Sequence, residues 1–249
     1  MKLSVITVVF NGAQEIVPTL RSVAEQTYPD MEHVVVDGGS RDGTPEIVRQ
    51  AGVQNFISEP DAGLYDAMNK GLSRANGDYV WFINAGDEIY SPDTAALVAQ
   101  HFDRADVIYG DAAITDPDGK IVGLRRHKSL PARLDRHSFR HGMVVCHQSL
   151  IVRKSLAPTY DLKYKISADI DWALRAVAGA GKTVNTGLIL SKFRVGGMSS
   201  VRRRASWLER WHILRRHFGT TDALVAHMEI AALAVKQKLF PAPNSAPKY

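Results

Sequence analysis

Apolar residues in the first half of the chain fall into short β-branched runs separated by amphipathic stretches. Leu3 to Phe10 lacks a clean apolar/polar alternation, which predicts a strand buried on both faces and closed by Asn11-Gly12. Between Glu15 and Gln26, Ile16, Leu20, Val23 and Ala24 recur at helical spacing. Tyr28-Pro29 ends that segment, because the residue before proline is pushed out of the α region. His33 to Val36 reads as the next strand and leads into the glycine-rich turn Asp37 to Thr44, where Pro45 suits a first helical position with Thr44 as its cap. Phe56-Ile57-Ser58 adds a strand, Tyr65 to Arg74 a helix, Tyr79 to Ile83 an apolar strand, Pro92 to Phe102 a helix and Val107 to Tyr109 another strand. Strand, helix, strand, glycine-rich turn, helix is the grammar of an open α/β sheet.

After Asp116-Pro117-Asp118-Gly119, read as a hairpin turn, the pattern becomes less regular and more basic. Arg125-Arg126-His127-Lys128 leads to Arg133, Arg136 and Arg140, which suits an acceptor-side insertion outside the central parallel sheet. Asp169 to Ala178 predicts a helix with Ile170, Leu174 and Val177 on one side, and Val184 to Phe193 a return to strand. Between Arg202 and His217, Arg202, Arg203, Arg204, Arg210, Arg215 and Arg216 stand against one acid, Glu209, interleaved with Trp207, Leu208, Trp211 and Leu214. As a helix this is either a basic amphipathic face for anionic lipid or an element docked on the domain with its arginines in water. The division expected is one domain over 1–200, with a nucleotide-binding half at 1–110 and an acceptor-side half at 111–200. A helical extension at 201–240 and a frayed tail at 241–249 follow.

The composition of the 249 residues, 45% hydrophobic and 23% charged, excludes collagen-like, mucin-like and wholly disordered chains. Cys146 is the single cysteine, so an intramolecular disulfide and a cysteine-only metal cluster are excluded. A net charge of +5 favours anionic partners without choosing among them. Lys2 is followed by a short uncharged run, and the best apolar segment, Ala223 to Val235, contains His227 and Glu229 and is too short to span a bilayer core about 30 Å thick. The expectation is a cytoplasmic protein, with contact at the inner face of the plasma membrane left open.

Several acids follow predicted strands. Asp37 comes after the second, Asp61 lies in the loop after the third, and Asp87 ends the loop after Tyr79–Ile83. Ligands of open α/β sheets bind outside the carboxyl ends of the strands, where such loops converge. A hard divalent cation would accept these oxygens and neutralise a phosphate leaving group. The first strand is not followed by G-x-G-x-x-G, and no G-x-x-x-x-G-K-[ST] occurs, which disfavours dinucleotide binding and a P-loop. His137, His141 and His147 lack zinc-site spacing.

Three segments in order carry a resemblance: Val34 to Thr44 (VVVDGGSRDGT), Glu59 to Gly71 (EPDAGLYDAMNKG) and Asn84-Ala85-Gly86-Asp87. Together the chain resembles a family 2 glycosyltransferase of the GT-A fold, nearest to bacterial exopolysaccharide and colanic-acid transferases, over roughly residues 1–195. The resemblance implies an α/β GT-A fold, a Rossmann-like open mixed sheet flanked by helices, to which the residue pattern after 201 adds a C-terminal helical extension. It implies an inverting hexosyl- or N-acetylhexosaminyltransferase that uses a nucleoside diphosphate sugar and Mg²⁺ or Mn²⁺. The acceptor implied is a glycan or an undecaprenyl-diphosphate-linked glycan of cell-surface polysaccharide synthesis.

Carried onto this sequence, the resemblance puts Asn11, Glu15 and Lys70 near the donor, with Asp37 and Asp61 gripping base or ribose. Asn84 and Asp87 occupy the place of the family's Asp-x-Asp motif, so Asp87 would hold the metal. Ala168-Asp169 matches the catalytic Glu-Asp pair, which makes Asp169 the general base. Arg194, before Val195-Gly196-Gly197-Met198-Ser199, would belong to a loop closing over the diphosphate. His147, Gln148, Asp171 and Trp172 are either acceptor contacts or supports behind them. Gly38 stands where many relatives carry a second acid.

Two other readings differ in kind. A sugar nucleotidyltransferase would also use an α/β sheet and metal-bound acids but would release pyrophosphate. A non-enzymatic nucleic-acid-binding module rests on the arginines at 202–216 alone, without a reader motif, and nucleic acid is not an expected partner. The apolar C-terminal helix could cover its own domain or form a homodimer.

Overall fold

The computed structural model describes residues 1–125, 130–195 and 203–239, the last with side chains for 204–232. Arg126, His127, Lys128, Arg202, the glycine segment Gly196–Ser199 and the tail 241–249 lie outside the described residues.

One mixed sheet organises the chain, in the order β3-β2-β1-β4-β8-β6-β9-β5, with β7 paired to β6. Its first half is parallel: β1 (Leu3–Val9) lies between β2 (Met31–Asp37) and β4 (Tyr79–Phe82), and β2 pairs with β3 (Asn55–Ser58). Every residue of β1 is buried, as its unalternating apolar run predicts, because α1 (Ile16–Ala24) and α2 (Thr44–Gln50) cover one face and α3 (Leu64–Arg74) the other. Phe10 falls just outside β1 and is 64% exposed, so the strand ends one residue before the predicted limit. At the start of α2 the cap is not Thr44. Gly43, with φ +90°, precedes the helix, and Asp42 accepts from the Thr44 amide (3.1 Å) and hydroxyl (2.6 Å).

The second half turns the sheet. β6 (Val107–Thr115) pairs antiparallel with β7 (Ile121–Leu124) across the predicted 116–119 turn, antiparallel with β8 (Leu150–Arg153), and parallel with β9 (Thr183–Arg194). β6 runs across residue 110, so the two expected halves share one sheet. β8 sits between β4 and β6 in the middle of it, whereas the stretch before β8 is irregular, with 3₁₀ turns at Arg136–Phe139 and His147–Ser149. The two-residue β5 (Glu88–Ile89), β7 and β8 had no sequence signal, being too short to establish a period. α4 (Thr94–Ala99) precedes β6, and α5 (Ala168–Ala178) precedes β9.

The C-terminal α6 (Arg203–Phe218) and α7 (Thr220–Leu239) form a hairpin joined through Leu214, Ala223 and Ala226. α6 is docked rather than free. Ile213 is fully buried in the main core, and Glu209 accepts from the backbone amides of Lys165 (2.8 Å), Ile166 (2.9 Å) and Ser167 (2.8 Å) just before α5. Lys165 and Ile166 lead into α5 and Ser167 is its cap residue, so Glu209 ties the chain entering α5 to α6. Among the described residues, no helix is long and apolar enough to cross a membrane.

Candidate active site

The carboxyl ends of β1, β2 and β3 place the first group of predicted residues side by side. Asp37, the last residue of β2, is fully buried, and its carboxylate accepts from the amides of Gly39 (3.2 Å) and Ser40 (3.0 Å) and the hydroxyls of Ser58 (2.6 Å) and Ser40. Its oxygens therefore order the turn. Asn11, at φ +47°, clips that turn to the end of β1: its amide donates to Ser40 Oγ (2.6 Å) and its Oδ1 accepts from Arg41 N (3.0 Å). Asp61 Oδ1 accepts from Gly63 N at 2.8 Å, and the other carboxylate oxygen lies over Gly38. A Cβ at Gly38 would collide with that carboxylate and approach the Phe10 ring to 3.3 Å, so the acid absent here leaves room for Asp61. Lys70 fastens the same loop from α3, donating to Pro60 O (2.8 Å) and pairing with Glu59 (2.8 Å). Phe10 was missed by sequence reasoning. Its signal was a bulky aromatic where a buried strand gives way to Asn11-Gly12.

The second group surrounds the loop after β4. Asp87 is only 5% exposed; its Oδ2 accepts from Gln148 Nε2 at 2.7 Å and its Oδ1 from the Arg194 amide at 3.0 Å. Burial pushes its carboxyl up to about 7, against the opposing pull of those two bonds. Glu15, at the head of α1, accepts from Gly86 N through its carbonyl (3.0 Å), while its carboxylate faces Arg194 Nη1 at 3.5 Å. Arg194, at the end of β9, also donates from Nη2 to Pro117 O at 3.1 Å. Asn84 Oδ1 is buried without a hydrogen-bond partner among the described residues.

These residues do not fit the divalent ion expected at Asp87. Both oxygens of the only carboxylate in Asn84–Asp87 are engaged and shielded from solvent. A single amide oxygen from Asn84 is a weak substitute, since hard cations select several oxygens with anionic ones among them. Among the described residues, no group of three or more His, Cys, Asp or Glu is arranged to hold a metal. Asp87 instead anchors Gln148 and the end of β9.

Asp169 lies in the first turn of α5, half-buried. Burial raises its carboxyl above the ordinary range, opposed by the Ile170 amide and by the positive charges of Arg125 and Arg210. The Cys146 thiol is pushed up by burial and by the charges of both Asp87 and Asp169. Arg125 and Arg210 are further residues that sequence reasoning did not single out. Each lay within a run of arginines that read only as a basic patch.

The remaining predicted residues are buried. Trp172 is fully buried, donates to Pro158 O (2.6 Å) and stacks on Tyr160 at 5.4 Å, so it is core and not an acceptor contact. Asp171 is fully buried too and turns toward α6, paired with Arg175 (2.8 Å) and His217 (2.8 Å), because two positions along a helix rotate a side chain well away from Asp169. His147 is boxed by Phe82, Tyr160 and Trp172, with Nε2 bonded to Tyr160 Oη at 2.8 Å. Burial, with help from Arg125, lowers its pKa to about 4, so it is neutral at physiological pH. Gln148 bridges Asp87 and the Cys146 thiol (3.1 Å).

A sheet whose first strands are parallel, with Asp37 at the carboxyl end of β2 and Asp61 in the loop after β3, extended by an antiparallel turn of the same sheet, has the arrangement of the GT-A class of sugar transferases. The glycosyl transferase family 2 profile matches residues 4–159, and the chain belongs to that family and is an enzyme of the glycosyltransferase class. An uncharacterized glycosyltransferase of Mycobacterium tuberculosis is 34% identical over 211 residues, covering 80% of this chain and 78% of the relative. A PGL/p-HBAD biosynthesis glycosyltransferase of Mycobacterium bovis is 34% identical over 184 residues, covering 69% and 68%. Among solved structures, S. aureus TarS residues 1–349 superposes with a TM-score of 0.69 at 19% identity, covering 98% of this chain and 76% of that one. The mannosyltransferase PcManGT of Pyrobaculum calidifontis, solved with GDP-Man and Mn²⁺, gives 0.64 at 19% identity, covering 96% and 80%. These structural likenesses establish the fold.

Proposed function

We propose that the protein transfers a sugar from a nucleoside diphosphate sugar to a hydroxyl of a glycan or lipid-linked acceptor, with inversion at the anomeric carbon. TarS has been solved with UDP and with UDP-GlcNAc, and PcManGT with GDP-Man, which supports a donor of that class. Phe10 offers an exposed aromatic face to the nucleobase, and Asp61 an oxygen to the ribose. Glu15 and Arg194 face the diphosphate. Asp169 accepts the proton of the acceptor hydroxyl as its oxygen bonds to the anomeric carbon. The bond from that carbon to the β-phosphate oxygen breaks, and its electron pair leaves with the nucleoside diphosphate. The charges of Arg125 and Arg210 favour the ionised form of Asp169 against the effect of burial. The observation that carries the reading is the match of residues 4–159 to the glycosyl transferase family 2 profile, with Asn11, Asp37 and Asp61 bonded into one set of loops at the carboxyl ends of the parallel strands.

The hairpin of α6 and α7 supports a role at the inner membrane face. Trp207, Leu208, Leu224 and Met228 are each at least half exposed, with Arg204 and Arg215 also in solvent. Aromatic and apolar side chains beside arginine suit the interface of an anionic bilayer.

A panel of UDP-, GDP- and dTDP-sugars with lipid-extract acceptors tests the proposal by the nucleotide released and the mass and anomeric configuration of the product. The proposal predicts nucleoside diphosphate and a product of inverted configuration. Pyrophosphate formed from a sugar phosphate and a nucleoside triphosphate would establish the nucleotidyltransferase instead.

A further inference from the structure

The loop after β4 is covered by an arginine. Gly86, at φ +94°, has no side chain, and the Arg194 side chain packs over it, with Cδ 3.5 Å and Nη1 4.0 Å from where a Cβ would stand. Arg194 is held there on three sides: its amide by Asp87 (3.0 Å), Nη2 by Pro117 O (3.1 Å) and Nη1 facing Glu15 (3.5 Å). The carboxylate that would otherwise bind an ion is the one that fixes the arginine. Glu15 is the weakest of these restraints, an ion pair with the acid 43% exposed, and an incoming dianion competes with it directly.

Resting on the donor reading above, we infer that the Arg194 guanidinium takes the place of the divalent cation, so that the donor diphosphate is bound and its departure assisted without metal. Two oxygens of a diphosphate match the fork of a guanidinium, which carries a permanent charge and needs no vacant ligand sites. In the transfer step, the electron pair of the breaking bond between anomeric carbon and β-phosphate oxygen goes to the diphosphate, where Arg194 meets the added charge. The acceptor proton goes to Asp169. The loop Asn84–Asp87 thereby acts as a platform for the arginine, which accounts for a buried, fully bonded Asp87 beside a bare Gly86.

The test is calorimetric binding of UDP, GDP and dTDP, and of their nucleosides, to the full chain in EDTA and in Mn²⁺, with circular dichroism confirming that each variant is folded. The inference predicts that the preferred nucleoside diphosphate binds in EDTA within about threefold of its affinity in Mn²⁺. Arg194→Gln should weaken that binding by about ten- to a hundredfold while leaving the nucleoside unaffected, the scale of charged hydrogen bonds. Arg194→Lys, which keeps the charge and loses the fork, should restore part of it and stands in if the glutamine variant does not fold. Binding that appears only with Mn²⁺, or an Arg194→Gln protein that binds as tightly as wild type, overturns the inference and leaves the donor reading standing. Failure of UDP, GDP and also dTDP to bind in either buffer overturns both.

Discussion

Gln148 donates from Nε2 to Asp87 Oδ2 across 2.7 Å, joining the turn that opens β8 to the loop that follows β4. Because Asp87 is shielded from water, this bond holds a carboxylate whose pKa has risen to about 7 from 3.8. A raised folded-state value means that the stability Asp87 contributes is full below about pH 4 and is lost as pH rises through about 7. Gln148→Ala should lower the unfolding free energy at pH 8 by about 1–3 kcal/mol, with a smaller loss at pH 5, where Asp87 is protonated. Urea unfolding at the two pH values measures the difference; equal losses would mean that Asp87 is not the group responsible.

The bond set from Glu209 to Lys165, Ile166 and Ser167 makes the extension part of the catalytic domain. Glu209→Ala leaves these amides without their carboxylate and should cost about 2–3 kcal/mol in thermal or chemical unfolding. Turnover should fall as well, because the first turn of α5 carries Asp169. A variant with lowered stability and unchanged turnover would show that α6 does not position the base.

Arg125 counteracts the effect of burial on Asp169. Arg125→Gln should therefore raise the pKa of Asp169 further, and the acid limb of the pH–rate profile should move to higher pH. The sign follows from losing a positive charge that favours the carboxylate. An acid limb that stays in place would remove Arg125 from the neighbourhood of the base.

At the outer face of the hairpin, Trp207 and Leu208 are 50% and 54% exposed. Flotation with vesicles containing phosphatidylglycerol should carry the protein upward, and replacing both residues by serine should abolish this while circular dichroism shows the protein still folded, with a small fall in melting temperature from the lost contact of Trp207 with His227. Binding should weaken with salt, since each arginine near an anionic surface contributes about 1 kcal/mol. Wild-type protein that stays at the bottom of the gradient contradicts the membrane placement.

Much of the parallel half was legible because its strands are buried on both faces and its turns are marked by glycine, as in Leu3–Val9 and Asp37–Thr44. β5, β7 and β8 carried no period long enough to read, and β8 enters the sheet from a basic stretch that looked like an insertion. Within the site, motif order located Asp37, Asp61, Asp87 and Asp169 but not the use of their oxygens. The bonds that engage Asp87 come from Gln148 and Arg194, 61 and 107 residues away, and no local pattern announces them. Trp172 and Asp171 adjoin Asp169 in sequence but face the core and α6, a distinction that only the packed helix makes.

Asp169→Asn tests the central claim most directly. The amide keeps the shape of the side chain but cannot take the acceptor proton. Affinity for the nucleoside diphosphate should stay near that of wild type while turnover with the best donor and acceptor falls by about 10²–10⁴-fold. Near-wild-type turnover would contradict the account and send the search for the base elsewhere in the crevice.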